Sequence, residues 1–368
     1  MMARIKKIDK PFLIITSILV LFGFIIFLSA SLGITAKEHL KFSSIVLNQL
    51  FLGLILGSIS AFINSRVHYS FWKKSSLWIF IGSIILTLLV FVPGIGFASG
   101  GAHRWIIIGP LSFQPAELLK ISFILYFATW LSNAKHHIQT FKYGVIPFGI
   151  ISGIVGVIML LQPDTDSFVV MVIAGLTMFY VAGAKWKHLA MIGLVGILCF
   201  SFLVATRPYV KQRVMTFINP ASDPLQSGYQ IQQSLIAIGS GGFAGRGFGQ
   251  SIQKFSFLPE PIGDSIFAVA AEEFGFIGSV ILIALFTSFT IRGYKIGTRL
   301  EDSFGSLVMI GLVTIIVTQS FMNIASMLGL IPLSGLPLLF VSHGGTALFF
   351  SLTSVGILMN ISKYQKVT

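Results

Sequence analysis

PFLIITSILVLFGFIIFL, residues 11–28, is an apolar run with no charged side chain. It exceeds the roughly 7–15 residues of a secretory signal core, although Ser29-Ala30-Ser31 after it resembles a cleavage site. The run therefore predicts a retained membrane helix over 11–33, since about 20 apolar residues cross a bilayer. Nine more segments of this kind follow, at 46–64, 76–93, 115–134, 143–161, 167–184, 188–206, 265–291, 303–328 and 345–361. The expected fold is an all-α polytopic membrane protein forming one domain over 1–368, with about ten transmembrane helices.

Composition agrees. Of 368 residues, 55% are hydrophobic and 10% charged, with a mean hydropathy of +0.90. Soluble globular chains carry about 25% charged residues. A water-soluble enzyme, a disordered chain, a disulfide scaffold and a coiled coil are excluded, and the lone Cys199 forms no internal disulfide. The net charge of +13 does not point to nucleic acid. With the amino terminus inside, 16 of the 25 basic residues fall on the cytoplasmic side and 8 outside, Lys120 lying within a span. Five of the outer eight belong to one long loop, where the positive-inside rule is weak. Both termini are expected in the cytoplasm of a plasma membrane, and the basic charge reports topology.

Carboxylates run the other way. Glu38, Glu117, Asp164, Asp166, Asp223, Glu260, Asp264, Glu272 and Glu273, nine of twelve, fall in the outer half, which places any chemistry there. The outer loop of about 207–264 reads as the only long connection. Within it Ile231, Leu235 and Ile238 recur at i, i+4, i+7, predicting a short amphipathic helix on the membrane surface. No internal repeat is evident.

Several residues in this outer half can carry chemistry, each with a structural alternative. The segment Gly239–Gly249 holds six glycines, including Gly241 and Gly242, and is either a flexible turn or a nest of amides that approaches a phosphate together with Arg246. Asp264, before the span at Ser265, is either a helix cap or a general base or metal-anchoring carboxylate, with Glu260 its nearest carboxylate neighbour. Glu117 and Lys120 share a helix face and either neutralise one another or line a cavity. Glu272 and Glu273 point about 100° apart and are expected not to face a single partner. Asp164 and Asp166 are solvated turn residues or part of a cation site with Asp264. His343 is the one histidine of interest, most simply a structural one.

Taken in order, the motifs resemble the SEDS family, which includes FtsW, RodA and SpoVE. They are Arg104-Trp105-Ile106 with Gly109, Gln114-Pro115-Ala116-Glu117 with Lys120, and Gln162-Pro163-Asp164. Asn219-Pro220, then Tyr229 to Ser234 leading into Gly241-Gly242, and Leu258-Pro259-Glu260 with Asp264 come next. Glu272-Glu273 with Gly275, and Gly335-Leu336-Pro337 through Ser342 to Gly345, complete the set. The resemblance implies an inverting peptidoglycan glycosyltransferase that joins lipid II disaccharides into glycan strands and releases undecaprenyl pyrophosphate. It also implies that Asp264 is the essential aspartate. Asp264 would accept the proton of the attacking sugar hydroxyl, while Lys211, Arg213, Arg246, the glycine amides or a divalent cation (Mg or Mn) stabilise the leaving pyrophosphate. The motif around Lys254 is closer to the FtsW branch, implying septal synthesis beside a class B penicillin-binding protein. Six positions depart from the family pattern: Ile262-Gly263 for His-Thr, Asp166 for glycine, His343 for tyrosine and Leu333-Ser334 for Thr-Lys. The alternatives are a lipid II flippase or other transporter, a RodA-type elongation polymerase, and a silent scaffold.

Overall fold

The computed structural model describes residues 7–35, 45–99, 102–108, 111–134, 137–220, 223 and 227–366. Glu38 and Gly109, named above, and Arg4, Lys6, Lys37, Lys41 and Lys135, counted among the basic residues of the loops and termini, lie outside the described residues.

The fold is a helical bundle. In chain order come α1 (Lys10–Thr35), α2 (Ile45–Arg66) and α3 (Tyr69–Leu88), then β1 (Gly96–Ser99), β2 (Ala102–Ile108) and β3 (Leu111–Phe113). Next are α4 (Pro115–Asn133), α5 (Phe141–Leu161), α6 (Thr165–Val181) and α7 (Trp186–Thr206). The remainder are α8 (Pro208–Ile218), α9 (Ser227–Ser240), α10 (Gln253–Ser256), α11 (Ile266–Thr298), α12 (Ser303–Met327) and α13 (Gly345–Ser362). Among the described residues eight helices are long and apolar enough to cross a membrane. The other two expected spans coincide with α4, which carries Glu117 and Lys120, and with the 17-residue α6. These lengths and their apolarity are those of a multi-pass membrane protein.

Burial separates the helices. α12 and α13 are buried along almost their whole length, and α4 along most of it, whereas α7 has no buried residue. Small residues permit the closest crossing. A Cβ on Gly356 of α13 would lie 2.4 Å from the Ala61 carbonyl oxygen of α2, so only glycine fits there. At one end of the bundle Arg292, near the end of α11, grips Asp9 with two hydrogen bonds of 2.9 and 2.7 Å, and Gln365 donates to the same carboxylate. Both ends of the described chain therefore lie on one face. The connection from α7 to α11 lies on the other.

Three expectations need correction. The connection from α3 to α4 is also long, and it folds into an antiparallel meander in the order β1-β2-β3, pairing Phe97 with Trp105 and Ile106 with Phe113. The β-branched run Ile106-Ile107-Ile108 beside Trp105 favours a strand here. The helix at 229–238 does form, as part of α9, but its buried stripe is Gly228, Ile231, Ser234 and Ala237, packed on α11 and α12. Leu235 is left 45% exposed, because this face is chosen by close approach to the protein and not by side-chain apolarity. Helix α3 begins seven residues before the expected 76, where His68 caps it, its Nδ1 accepting from Ser70 N at 3.2 Å.

Candidate active site

α11 is not continuous. Gly275 sits at φ 63°, ψ −161°, and a Cβ there would lie 2.3 Å from the Gly245 amide nitrogen. The break is filled by the glycine-rich segment. The amides of Arg246 and Gly247 donate to the carbonyls of Glu272 and Glu273 at 3.0 and 2.9 Å, and Phe276 N donates to Gly242 O at 3.0 Å. Gly241 lies so near that its Cβ would be 2.1 Å from Ala271 O. The amides of Arg246 and Gly247 thus turn toward α11, which explains the glycines by backbone contact.

Glu272 and Glu273 converge on one segment, contrary to the expectation that they would face different partners. Glu272 accepts from the Ser251 hydroxyl, from Ile252 N at 3.0 Å and from Gln253 N at 3.3 Å, and stands 3.4 Å from Arg246 Nε. Glu273 pairs with Lys254 Nζ at 2.6 Å and accepts from the Ser29 hydroxyl of α1. The segment 251–254 wraps around α11, so two directions 100° apart both meet it. Neither carboxylate is more than 1% exposed.

Beyond this anchor the chain passes Leu258-Pro259-Glu260 to Asp264. Glu260 adopts a left-handed φ of 46°, closing a turn in which Gly263 N and Ser265 N donate to its carbonyl. The strap between α12 and α13 holds the turn from the other side. Ser342 Oγ donates to Gly263 O at 2.7 Å, His343 N to Ile262 O at 2.7 Å, and Asn323 Nδ2 of α12 to both Asp264 O and Leu336 O. His343 stacks on Phe27, and burial holds its imidazole pKa below the usual value. It supports the turn through its backbone, a structural role.

The Asp264 carboxylate accepts from Gln230 Nε2 of α9 at 3.3 Å, and the same amide donates to Ser265 Oγ at 2.9 Å. Asp264 therefore does not act as a side-chain cap for α11, for which no side-chain cap bond is formed. Desolvation pushes its pKa up to about 6. The Glu260 charge acts in the same direction, while Gln230 and the positive field of Arg213 oppose it. Arg213 itself lies 2.6 Å from Asp166. Lys211 is exposed on α8.

The remaining expected residues fall into two supporting groups. Lys120 donates to Glu117 at 2.8 Å and to Gln319 at 2.6 Å, and Gln319 donates to Pro337 O at 3.2 Å. Arg104 of β2 donates to the carbonyls of Gln162 and Pro163, and Asp164 caps α6 at Ser167 N. The structure does not bring Asp164 or Asp166 to Asp264 as a cation site, and among the described residues no group of three His, Cys, Asp or Glu side chains is placed to hold a metal. Gln319 and Asn323 were not found by sequence reasoning. Their signal was two polar residues one helical turn apart inside an apolar run.

Of the described outer carboxylates, Glu117, Asp166, Glu272 and Glu273 each meet a cation, Asp164 caps a helix, Asp223 binds Gln212 and Ser227 N, and Glu260 is exposed at its turn. Asp264 is the one that is desolvated, without an ion pair, and raised in pKa.

A family model described as "Cell cycle protein" and covering FtsW, RodA and SpoVE matches residues 10–367. The chain belongs to the FtsW/RodA/SpoVE family. It is 38% identical to stage V sporulation protein E of Bacillus subtilis over 97% of this chain and 98% of that protein. It is 36% identical to the probable peptidoglycan glycosyltransferase FtsW of Geobacter sp. strain M18, over 98% of each. Among solved structures it resembles a chain of a peptidoglycan synthase complex described as coordinating polymerization and crosslinking (TM-score 0.79, 25% identity, 98% of this chain and 99% of that one). It also resembles the rod shape determining protein RodA of Thermus thermophilus (TM-score 0.70, 25% identity, 98% of each).

Proposed function

We propose that this family member is a peptidoglycan polymerase that joins lipid II disaccharides into glycan strands at the outer face of the bacterial plasma membrane, with Asp264 as the general base. The observation that carries the catalytic assignment is the desolvated Asp264 carboxylate, free of any ion pair and with a pKa of about 6. A base poised near the working pH takes the hydroxyl proton as the sugar attacks the anomeric carbon, a contribution of about 10²–10⁴-fold. Gln230 orients the carboxylate from α9, and Asn323 fixes its backbone from α12.

Arg213, whose charge bears on Asp264, offsets the charge that grows on the departing pyrophosphate, whereas Lys211, two residues along α8, points about 200° away and is exposed. A magnesium or manganese ion would be held by substrate phosphates together with at most Glu260, since a cation on Asp264 would lower the pKa that its role as base requires and no three-ligand cluster forms among the described residues. Bound there, it would offset pyrophosphate charge. Arg104, Glu117, Lys120, Arg246, Gly241 and Gly242 support the site through the contacts above.

The charge balance favours both termini in the cytoplasm, with α8–α10 outside, and the described chain forms a single membrane domain. The FtsW and SpoVE relatives support septal synthesis over elongation, and the resemblance to a synthase complex supports a class B penicillin-binding protein as the transpeptidase partner. The test is polymerisation of lipid II in liposomes, with and without that partner, followed on gels beside Asp264→Asn. Polymer from the wild type alone supports the proposal. No polymer from folded, partner-bound protein returns the flippase and scaffold readings, and polymer from both proteins removes Asp264 from its role.

A further inference from the structure

Asp166 lies in the first turn of α6 and Arg213 midway along α8, with Nη1 and Oδ2 2.6 Å apart. Their side chains are 21% and 29% exposed, so water and a ligand reach the pair. The same Oδ2 accepts from the Gly335 amide of the strap at 3.3 Å. A Cβ on Gly335 would lie 3.7 Å from Arg213 Nη2, so the guanidinium lies against the strap backbone. Three elements meet at one carboxylate: the start of α6, the side of α8 and the strap that also holds the Asp264 turn. The guanidinium is close enough to Asp264 for its charge to bear on that carboxylate.

A partly exposed ion pair of this kind is worth about 1.5- to 5-fold in an equilibrium constant. A diphosphate offers the same guanidinium more charge and two oxygens in a bidentate geometry. The exchange from carboxylate to diphosphate is therefore favourable, and it is taxed by the strength of the pair. We propose that Asp166 is a positioning residue that parks Arg213 at the mouth of the Asp264 site and yields it to the diphosphate of the polyprenyl-linked substrate. Asp166 thereby weakens the hold on both substrate and released polyprenyl diphosphate, and the Gly335 amide it leaves becomes available to the same anion. This rests on the polymerase reading for the identity of the substrate, but the exchange itself requires only a polyprenyl diphosphate.

The experiment uses the full-length protein in detergent micelles with farnesyl diphosphate as probe and farnesol as its uncharged control. Equilibrium binding is measured for wild type, Asp166→Asn, Asp166→Glu, Arg213→Gln and the Asp166→Asn/Arg213→Gln double variant. Asp166→Asn is expected to bind farnesyl diphosphate about two- to fivefold more tightly, with farnesol unchanged. Asp166→Glu should match the wild type, Arg213→Gln should bind more weakly, and the double variant should lose the gain. In polymerisation assays KM for lipid II should fall in Asp166→Asn while farnesyl diphosphate inhibits more strongly. Binding by Asp166→Asn that equals or falls below the wild type overturns the proposal, as does a gain that persists without Arg213 or absence of binding to the wild type. If no glycan forms but the predicted order of affinities appears, the polymerase reading fails and the exchange stands. If glycan forms and the order does not appear, the exchange fails alone.

Discussion

Replacing Asp264 with asparagine should make the folded protein more stable at neutral pH even as it removes the proposed base. The side chain keeps its shape, and the asparagine Oδ1 can still accept from Gln230 Nε2, so the change isolates the charge. In the folded state the carboxyl titrates at about 6, against 3.8 for an unperturbed aspartate, because desolvation and then the Glu260 charge disfavour ionisation. Between those two values the unfolded chain releases a proton that the folded chain retains. Stability therefore falls as pH rises from about 4 to 6 and levels off above. A gap of about two pH units at 1.36 kcal/mol each gives on the order of 3 kcal/mol, an upper figure for a carboxylate that keeps partial exposure.

Thermal unfolding in detergent, followed at fixed scan rate from pH 4 to 8, reads this directly. Asp264→Asn should melt on the order of 5 °C above the wild type at pH 8, with the difference closing toward pH 4. The wild-type polymerisation rate should rise through the same window on an acid limb near 6. An Asp264→Asn protein no more stable than the wild type at pH 8, or a difference indifferent to pH, would refute the desolvation account of this carboxylate.

Glu260→Gln removes the second contribution to the raised pKa, so the acid limb of the polymerisation profile should move below 6, and a limb that stays in place would show that the two carboxylates do not interact. Lys254→Met leaves the Glu273 carboxylate buried beside Ser29 without its cation and should cost about 3–5 kcal/mol, read as a large loss of thermal stability. The Lys254→Met/Glu273→Met pair should recover part of that loss, and a double variant worse than the single would contradict the charge-burial explanation.

Much of the fold was legible because its signal is local. An apolar run of about 20 residues needs no partner to be read as a membrane helix, and the helices at 303–327 and 345–362 lie close to their expected bounds. The meander at 96–113 was missed because its strands are short and separated from the dominant hydropathy pattern. Asp264 stood out through the motif around it, but its setting did not. Gln230 is 34 positions away and Asn323 is 59, and no periodicity links them. Glu272 and Glu273 were misread for the opposite reason. Helical geometry fixed their directions correctly, but a segment that wraps the helix can meet both.

The cost of burying Lys254, Glu272 and Glu273 makes sense only if they fix something that apolar packing would leave adjustable. An apolar contact is non-directional, so a segment held by it alone retains freedom to slide. Lys254 bonds both Glu273 and Ser29, tying the segment to α1 and α11 at once, and Glu272 binds two successive amides of that segment, which sets its register. Ten residues later the chain is gripped again at Ile262, Gly263 and Asp264 by His343, Ser342 and Asn323. Between the two anchors, Phe255, Phe257 and Glu260 are exposed. A charge whose position must be held against the pull of a charged substrate is better fixed by directional bonds on either side than by packing beneath it. On this reasoning the buried ion pairs serve Asp264 from a distance, through the backbone that ends there.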